Sequence, residues 1–177
     1  SHKDLPTVHV VHEILSGHDF APFKALNDLP MGMTAHIVFS NIDGRHPATT
    51  SKKMMDLIRT EIGFGGLIMT DDLSMEALQG SIAERAAASV AAGCDVVVST
   101  GGVSAGDSDW IRPLVAELGE VRFWKLFLKP GRPFAWGQVA GTPFFGLPGN
   151  PVAAAITALQ LLWPALQRLE GAEPQLL

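Results

Sequence analysis

The sequence predicts an α/β fold, a three-layer αβα arrangement around a mostly parallel sheet, on three observations. Short apolar runs at residues 35–40, 66–70 and 95–100 each end in polar residues, as buried parallel strands do. Helix-forming segments separate them, giving two βαβ units that must cross over right-handedly. The chain has 177 residues, 47% of them hydrophobic and 18% charged, enough for one α/β domain to bury a core.

Taken in order, residues 1–30 are interrupted by Pro6, Pro22 and Pro30 and offer one weak strand at Val8–Val11. Ser51 can cap a helix carrying Met54, Met55, Leu57, Ile58 and Ile62, which Gly63 ends in the left-handed conformation. The Ala-rich segment Ile82–Ala92 has strong helix propensity and closes at Gly93. After Thr100 comes a Gly-rich turn, a helix from about Asp109 to Leu118, and strands near 121–128, 133–137 and 142–147. Short turns join those last strands, so the sheet becomes mixed there. A final helix runs from Pro151, with Asn150 as its cap, to about Leu169.

A net charge of -5 gives no electrostatic footprint for nucleic acid or an anionic membrane. The most apolar stretch, Val152–Leu166, is broken by Gln160 and Pro164 and reads as too short to span a bilayer. A single cysteine, Cys94, permits no internal disulfide, and no charged-then-apolar leader is visible, so the expected setting is the cytoplasm. Composition divides the chain. All six His and all six Met precede residue 77, whereas all four Trp follow residue 109. Residues 1–96 carry seven basic against twelve acidic side chains and residues 97–177 carry six against six, which places a break near 94–99.

Ligands of parallel α/β sheets bind beyond the carboxyl ends of the strands. Asp71 and Asp72 follow one strand directly, where a nucleophile or general acid would be held on a rigid element; the plain alternative is an Asp capping the next helix. Two Gly-rich loops, 99–109 and 146–151, lie between strands and helix N-termini, where backbone N–H groups favour an anion such as phosphate; ordinary βα turns are the alternative. His9 and His12, followed by Glu13, lie in an expected strand that points them to opposite faces, so no metal site is expected.

The runs Ser1–Pro6, Asp19–Phe23, Gly32–His36, Gly63–Met75 and Ala91–Asp95 resemble the C-terminal half of the bacterial β-N-acetylhexosaminidases of glycoside hydrolase family 3. That resemblance places Asp71 at the covalent nucleophile and His2 at the acid/base histidine. A complete (β/α)₈ barrel needs about 250 residues and eight strands, of which this stretch matches the last three. The runs 95–109, 123–126, 128–135 and 146–152 resemble the central domain of the molybdopterin molybdotransferases. By that resemblance Asp109, Lys125, Lys129, Pro148 and Pro151 stand at active-site positions, and Gly101, Gly102, Ser104, Gly106, Gly149 and Asn150 stand in the loops facing the pterin phosphate.

The two resemblances meet at 93–99, and the simplest account is a chimera: one flavodoxin-like or molybdopterin-binding-like domain, deliberately recombined or selected for folding. The expected function is a scaffold with neither parental activity intact and no required cofactor. Two alternatives stay open: molybdopterin or phosphate binding with residual molybdotransferase chemistry, and residual β-N-acetylglucosaminide hydrolysis. The expected partner is a small anion or pterin, with neither nucleic acid nor membrane, and an uncovered strand edge makes a homodimer an option.

Overall fold

The structure is a computed structural model describing residues 4–101 and 119–174. His2, Gly102, Ser104, Gly106, Asp109 and the helix expected over 109–118 lie outside the described residues.

Three strands form the first part of the sheet. β2 (Met31–Met33) pairs in parallel with β4 (Leu67–Met69). β4 continues to β5 (Val97–Thr100) through a parallel bridge between Met69 and Val96. β5 pairs in parallel with β8 (Thr142–Leu147), β8 antiparallel with β7 (Ala135–Val139), and β7 antiparallel with β6 (Gly119–Trp124). A separate parallel pair joins β1 (Thr7–Val8) to β3 (Val38–Phe39). The α/β class holds, and the sheet is mixed in its second half as the short turns imply.

The apolar run at 35–40 is not the strand that neighbours β4. That place belongs to β2, just upstream, and residues 34–37 leave the ladder after Thr34 N–H donates to the Met69 carbonyl at 3.0 Å. Met-Gly-Met carries little strand signal, yet glycine suits the position: a Cβ on Gly32 would stand 3.1 Å from the Phe64 ring, tighter than ordinary packing. The departing segment carries Thr34 and His36 into a buried polar network described below, and Val38–Phe39 then pairs with β1. The strand expected at Val8–Val11 is shifted to Thr7–Val8, and His12 opens a short helix, α1 (His12–Ile14), that widens into a π turn over Leu15–Asp19; two further short helices, α2 (Ala21–Lys24) and α3 (Ser40–Asp43), follow.

The helices follow the capping signals. α4 (Lys52–Leu57) starts where the Ser51 hydroxyl accepts from Met54 N–H at 3.1 Å, continues as a π turn over Ile58–Ile62, and ends at Gly63 with φ +77°. α5 (Ile82–Ala92) opens with a reciprocal capping box between Ser81 and Glu84 and closes at Gly93 with φ +113°. The C-terminal helix spans Pro151–Leu169, with Asn150 Oδ1 accepting from Val152 and Ala153 N–H at 3.1 Å each. A π turn over Ala158–Leu162 precedes Pro164, which has no N–H to give to the helical ladder. At 19 residues this helix is longer than the apolar stretch read from the sequence, and by length and composition alone it could cross a membrane. Its buried residues, Ala153, Thr157, Leu162 and Leu166, form the face turned to the protein interior.

Alternation along the central strands builds the three layers. Val97 and Phe144 point to one face, packing with Leu73, Leu78 and Ala86 under α5. Val96, Phe145 and Leu147 point to the other and meet Leu162 and Leu166 of the C-terminal helix. A third cluster, with Leu15, Phe20, Met54, Met55, Phe64 and Ile68, fills the space between β4, α4 and the N-terminal helical segment.

Candidate functional site

Ladder register aligns Trp124, Ala135, Gly146 and Ser99 in one row across β6, β7, β8 and β5. The row marks the carboxyl ends of the parallel strands β5 and β8. What lies beyond it therefore emerges on one edge: Thr100 at the end of β5 and Gly101 after it, Pro148 to Pro151 after β8, and Lys125 after β6. Asp71 and Asp72, after β4, join them.

Asp72 makes that connection. Its Oδ2 accepts from the Thr100 hydroxyl at 2.7 Å and its Oδ1 from Ser74 N–H at 2.9 Å. Asp71 Oδ1 accepts from Asp72 N–H at 2.7 Å. The bonds from Ser74 and Asp72 N–H are those of a local turn, and the one from Thr100 ties that turn to the end of β5. The next helix is capped by Ser81, so neither aspartate is its N-cap.

A buried network supports the Asp72 backbone. His36 Nε2 lies 2.9 Å from the Asp72 carbonyl, which can only accept, so Nε2 carries the proton. Nδ1 lies 2.9 Å from Thr49 Oγ1, which accepts from the Thr34 hydroxyl at 3.0 Å and also stands 3.2 Å from the Ala35 carbonyl. Thr34, His36 and Thr49 are 5%, 5% and 0% exposed. From the other side Arg85 donates to the carbonyls of Leu73, Met75 and Leu78. Sequence reasoning gave Thr49 and Arg85 no role, and Thr100 only a place in the first Gly-rich loop. The available signal was a run of polar residues, Thr34 and His36, directly after a strand.

The two Gly-rich loops touch. A Cβ on Gly149 would stand 3.3 Å from the Gly101 Cα, and Gly101 has φ +81°, a conformation that favours glycine. Gly101 N–H donates to the Leu147 carbonyl at 2.9 Å, and Asn150 fills the first helical amides itself. Gly149 and Asn150 are exposed where the two loops meet. Pro148 is buried and Pro151 is exposed at the first helical position. Beneath the edge, the Ser99 hydroxyl is buried with no partner among the described residues.

Lys125 adopts φ +69° and its Nζ sits 4.0 Å from the Trp124 ring centroid, a cation–π contact. It stands about three strand spacings, roughly 14 Å, from β5. Lys129 is exposed in the loop that leads from β6 to β7. Together Asp71, Asp72, Gly101, Lys125, Pro148, Gly149, Asn150 and Pro151 share one edge, with both charge signs present.

The histidine pair is not joined. His9 Nδ1 bonds the Ser40 hydroxyl at 3.0 Å, while His12 Nε2 lies 2.6 Å from Glu61 Oε2. Glu61 also takes the Ser16 hydroxyl and Lys24 Nζ. The Ser16 hydrogen bond, with those from Lys24 and His12, outweighs burial and holds its carboxyl at about 2. Cys94 is buried, which pushes its thiol up to about 12.

Two family models match this chain. The glycosyl hydrolase family 3 N terminal domain covers residues 1–114 and the probable molybdopterin binding domain covers residues 67–168, overlapping over 67–114. The chain belongs to both families. It is a fusion of a glycosyl hydrolase family 3 part and a molybdopterin-binding part. A molybdopterin molybdenumtransferase of Haemophilus influenzae is 36% identical over 122 residues, covering 69% of this chain and 28% of that protein. A beta-hexosaminidase of Methylococcus capsulatus is 39% identical over 102 residues, covering 55% and 30%. Among solved structures, NagZ from Neisseria gonorrhoeae in complex with N-trifluoroacetyl-D-glucosamine aligns at TM-score 0.53 and 34% identity, covering 66% of this chain and 32% of that one. The beta-N-acetylglucosaminidase of Thermotoga maritima aligns at TM-score 0.54 and 31% identity, covering 63% and 25%. The chain thus spans less than a third of the length of each relative. In the glycosyl hydrolase part β2, β4 and β5 stand as parallel neighbours, and in the molybdopterin-binding part β8 takes the other side of β5.

Proposed function

We propose that this fusion, whether made by design or by selection, is one cooperatively folded cytoplasmic scaffold that hydrolyses no β-N-acetylglucosaminide and keeps an anion-binding cradle for a phosphate or pterin phosphate. The observation that carries the reading is the meeting of Gly101 and Gly149 at the carboxyl ends of β5 and β8, backbone against backbone. Two features fit an anionic ligand such as the molybdopterin phosphate there. Among the described residues, a Cβ built on Gly101 or Gly149 would meet nothing within 4 Å but the other glycine's backbone, and the buried Ser99 hydroxyl beneath them has spare hydrogen-bonding capacity. Gly149 and Asn150 would line the phosphate, with Lys125 and Lys129 as the cations on the same side. A bound pterin would supply the dithiolene chemistry of its family, and this chain's residues would bind and orient it.

Against hydrolysis, Asp72 is spent on Ser74 and Thr100 and Asp71 on a backbone N–H, while retaining chemistry asks for two groups about 5 Å apart around a closed sugar pocket.

Two assays test this. Titration with inorganic phosphate and molybdate, followed by tryptophan fluorescence, is expected to show saturable binding that Gly149→Val removes while the fold persists by circular dichroism. A chromogenic β-N-acetylglucosaminide is expected to be cleaved equally slowly by the wild type and by Asp71→Asn. Turnover that Asp71→Asn abolishes would overturn the scaffold reading, and anion binding indifferent to Gly149→Val would overturn the cradle.

A further inference from the structure

β2 has β4 on one side and no strand on the other among the described residues. The ladder phase shows which groups are left outward. Leu67 N–H donates to the Pro30 carbonyl and Thr34 N–H to the Met69 carbonyl, so Pro30, Gly32 and Thr34 face β4. The N–H and C=O groups of Met31 and Met33 face away from it.

The far edge of the sheet handles the same problem differently. β6 presents exposed Glu120 and Arg122, and its register shifts between Val121 and Phe123. Charges and a bulge are the usual means of keeping an edge from pairing. β2 has neither: it reads Met-Gly-Met. Its own Met33 is 65% exposed, and beside it Phe23, Leu26 and Leu29 are 61%, 50% and 45% exposed. They line an apolar cavity of about 330 Å³, floored by Met54 and Phe64.

We propose that a second copy of this chain pairs antiparallel along β2, about a two-fold axis at Gly32. An edge of this kind is complementary to itself. Met31 of one copy falls opposite Met33 of the partner subunit, and each of the two pairs exchanges both its hydrogen bonds. The apolar patches then close over each other. At about 200 Å² for a fully exposed large side chain, the four residues contribute on the order of 400 Å² per copy. A standard interface removes about 800 Å² per partner, somewhat more than half of it apolar, so the patch supplies most of what is needed. This inference rests on β2 and its neighbours alone and is independent of the anion cradle.

The test is sedimentation velocity of the whole chain from about 1 to 200 µM, the range that brackets a micromolar dimer. A monomer–dimer equilibrium is expected within it. Met33→Lys and Phe23→Asp, both at exposed positions, are each expected to weaken dimerisation at least about tenfold with an unchanged circular dichroism spectrum. Leu159→Lys, exposed on the C-terminal helix and outside the patch, is expected to leave it unchanged. Amide exchange at Met31 and Met33 is expected to slow as concentration rises. A monomer throughout the range, a dimer insensitive to both β2 variants, or exchange at those amides independent of concentration would each overturn the proposal.

Discussion

Thr49→Val tests the claim that a buried hydroxyl, and no carboxylate chemistry, holds the Asp71–Asp72 loop in place. Valine keeps the shape of threonine, so no cavity opens and the change isolates hydrogen bonding. Two buried groups lose their partner: the Thr34 hydroxyl, 3.0 Å from Thr49 Oγ1, and His36 Nδ1, at 2.9 Å. Neither can turn to water, because both residues are 5% exposed. An unsatisfied buried group costs about 1–3 kcal/mol, which gives roughly 2–4 kcal/mol for the pair once some relaxation is allowed. For a chain of this size each kcal/mol moves Tm by about 2–4 °C, so a fall of roughly 5–15 °C is expected. Urea unfolding followed by tryptophan fluorescence measures the free energy. Hydrogen exchange at Ser74 N–H, whose acceptor is Asp72 Oδ1, reports on the loop and is expected to quicken. A loss under about 0.5 kcal/mol, with Ser74 exchange unchanged, would refute the reasoning, because it would mean water or a rearranged side chain already satisfies these groups.

The other expectations concern the N-terminal segment and the thiol. Glu61 has its carboxyl lowered from 4.5 to about 2 in the folded chain, so the stability it contributes is complete above pH 4.5 and is lost as pH falls towards about 2. Glu61→Gln is therefore expected to flatten the acid limb of a stability–pH profile in that window, and an unchanged limb would contradict the role given to the Ser16, Lys24 and His12 contacts. Cys94, with its thiol pushed up to about 12 by burial, is expected to resist a thiol-reactive dye at neutral pH and to label only when urea unfolds the chain; prompt labelling of the native protein would contradict its place in the core.

What could be read from the sequence is what local chemistry controls. Ser51, Gly63, Gly93 and Asn150 each mark a helix boundary through a hydrogen bond or a left-handed backbone that their own residue type supplies. Of the strands after residue 119, β6 stops at Trp124, short of the expected 128, before a longer loop, whereas β7 and β8 were legible because a tight turn at Ala140 and Gly141 separates them. β2 was not, because the reason for its glycine is the Phe64 ring, which lies 32 positions away in the chain. The run at 35–40 misled for the complementary reason: its polar members satisfy a network with Thr49 and Asp72 that competes with the ladder. At the site, sequence placed the Gly-rich loops and the Asp pair at strand ends. That Thr100 would bond Asp72 depends on the ordering of β4, β5 and β8, which periodicity does not encode.

The seam itself explains how two unrelated parts can share a core. Both family matches run through β4, α5 and β5, so β5 serves as a strand of either parent. On one side it takes β4, its neighbour from the glycosyl hydrolase part, and on the other β8 from the molybdopterin-binding part. Its period of two sends Val97 to the cluster under α5, where Leu73 and Leu78 meet Ala135, Val139 and Phe144. Val96 goes the other way, where Met31, Leu67 and Met69 pack near Phe134, Phe145 and Leu166. Both faces are therefore built from residues on either side of the join. A slip of one residue at β5 would turn Val96 and Val97 to the wrong clusters at once, so the hydrophobic pattern fixes the register across the seam. Right-handed βαβ crossovers on the first side and hairpin-linked strands on the second then need no adjustment to each other, since each meets β5 along its own edge.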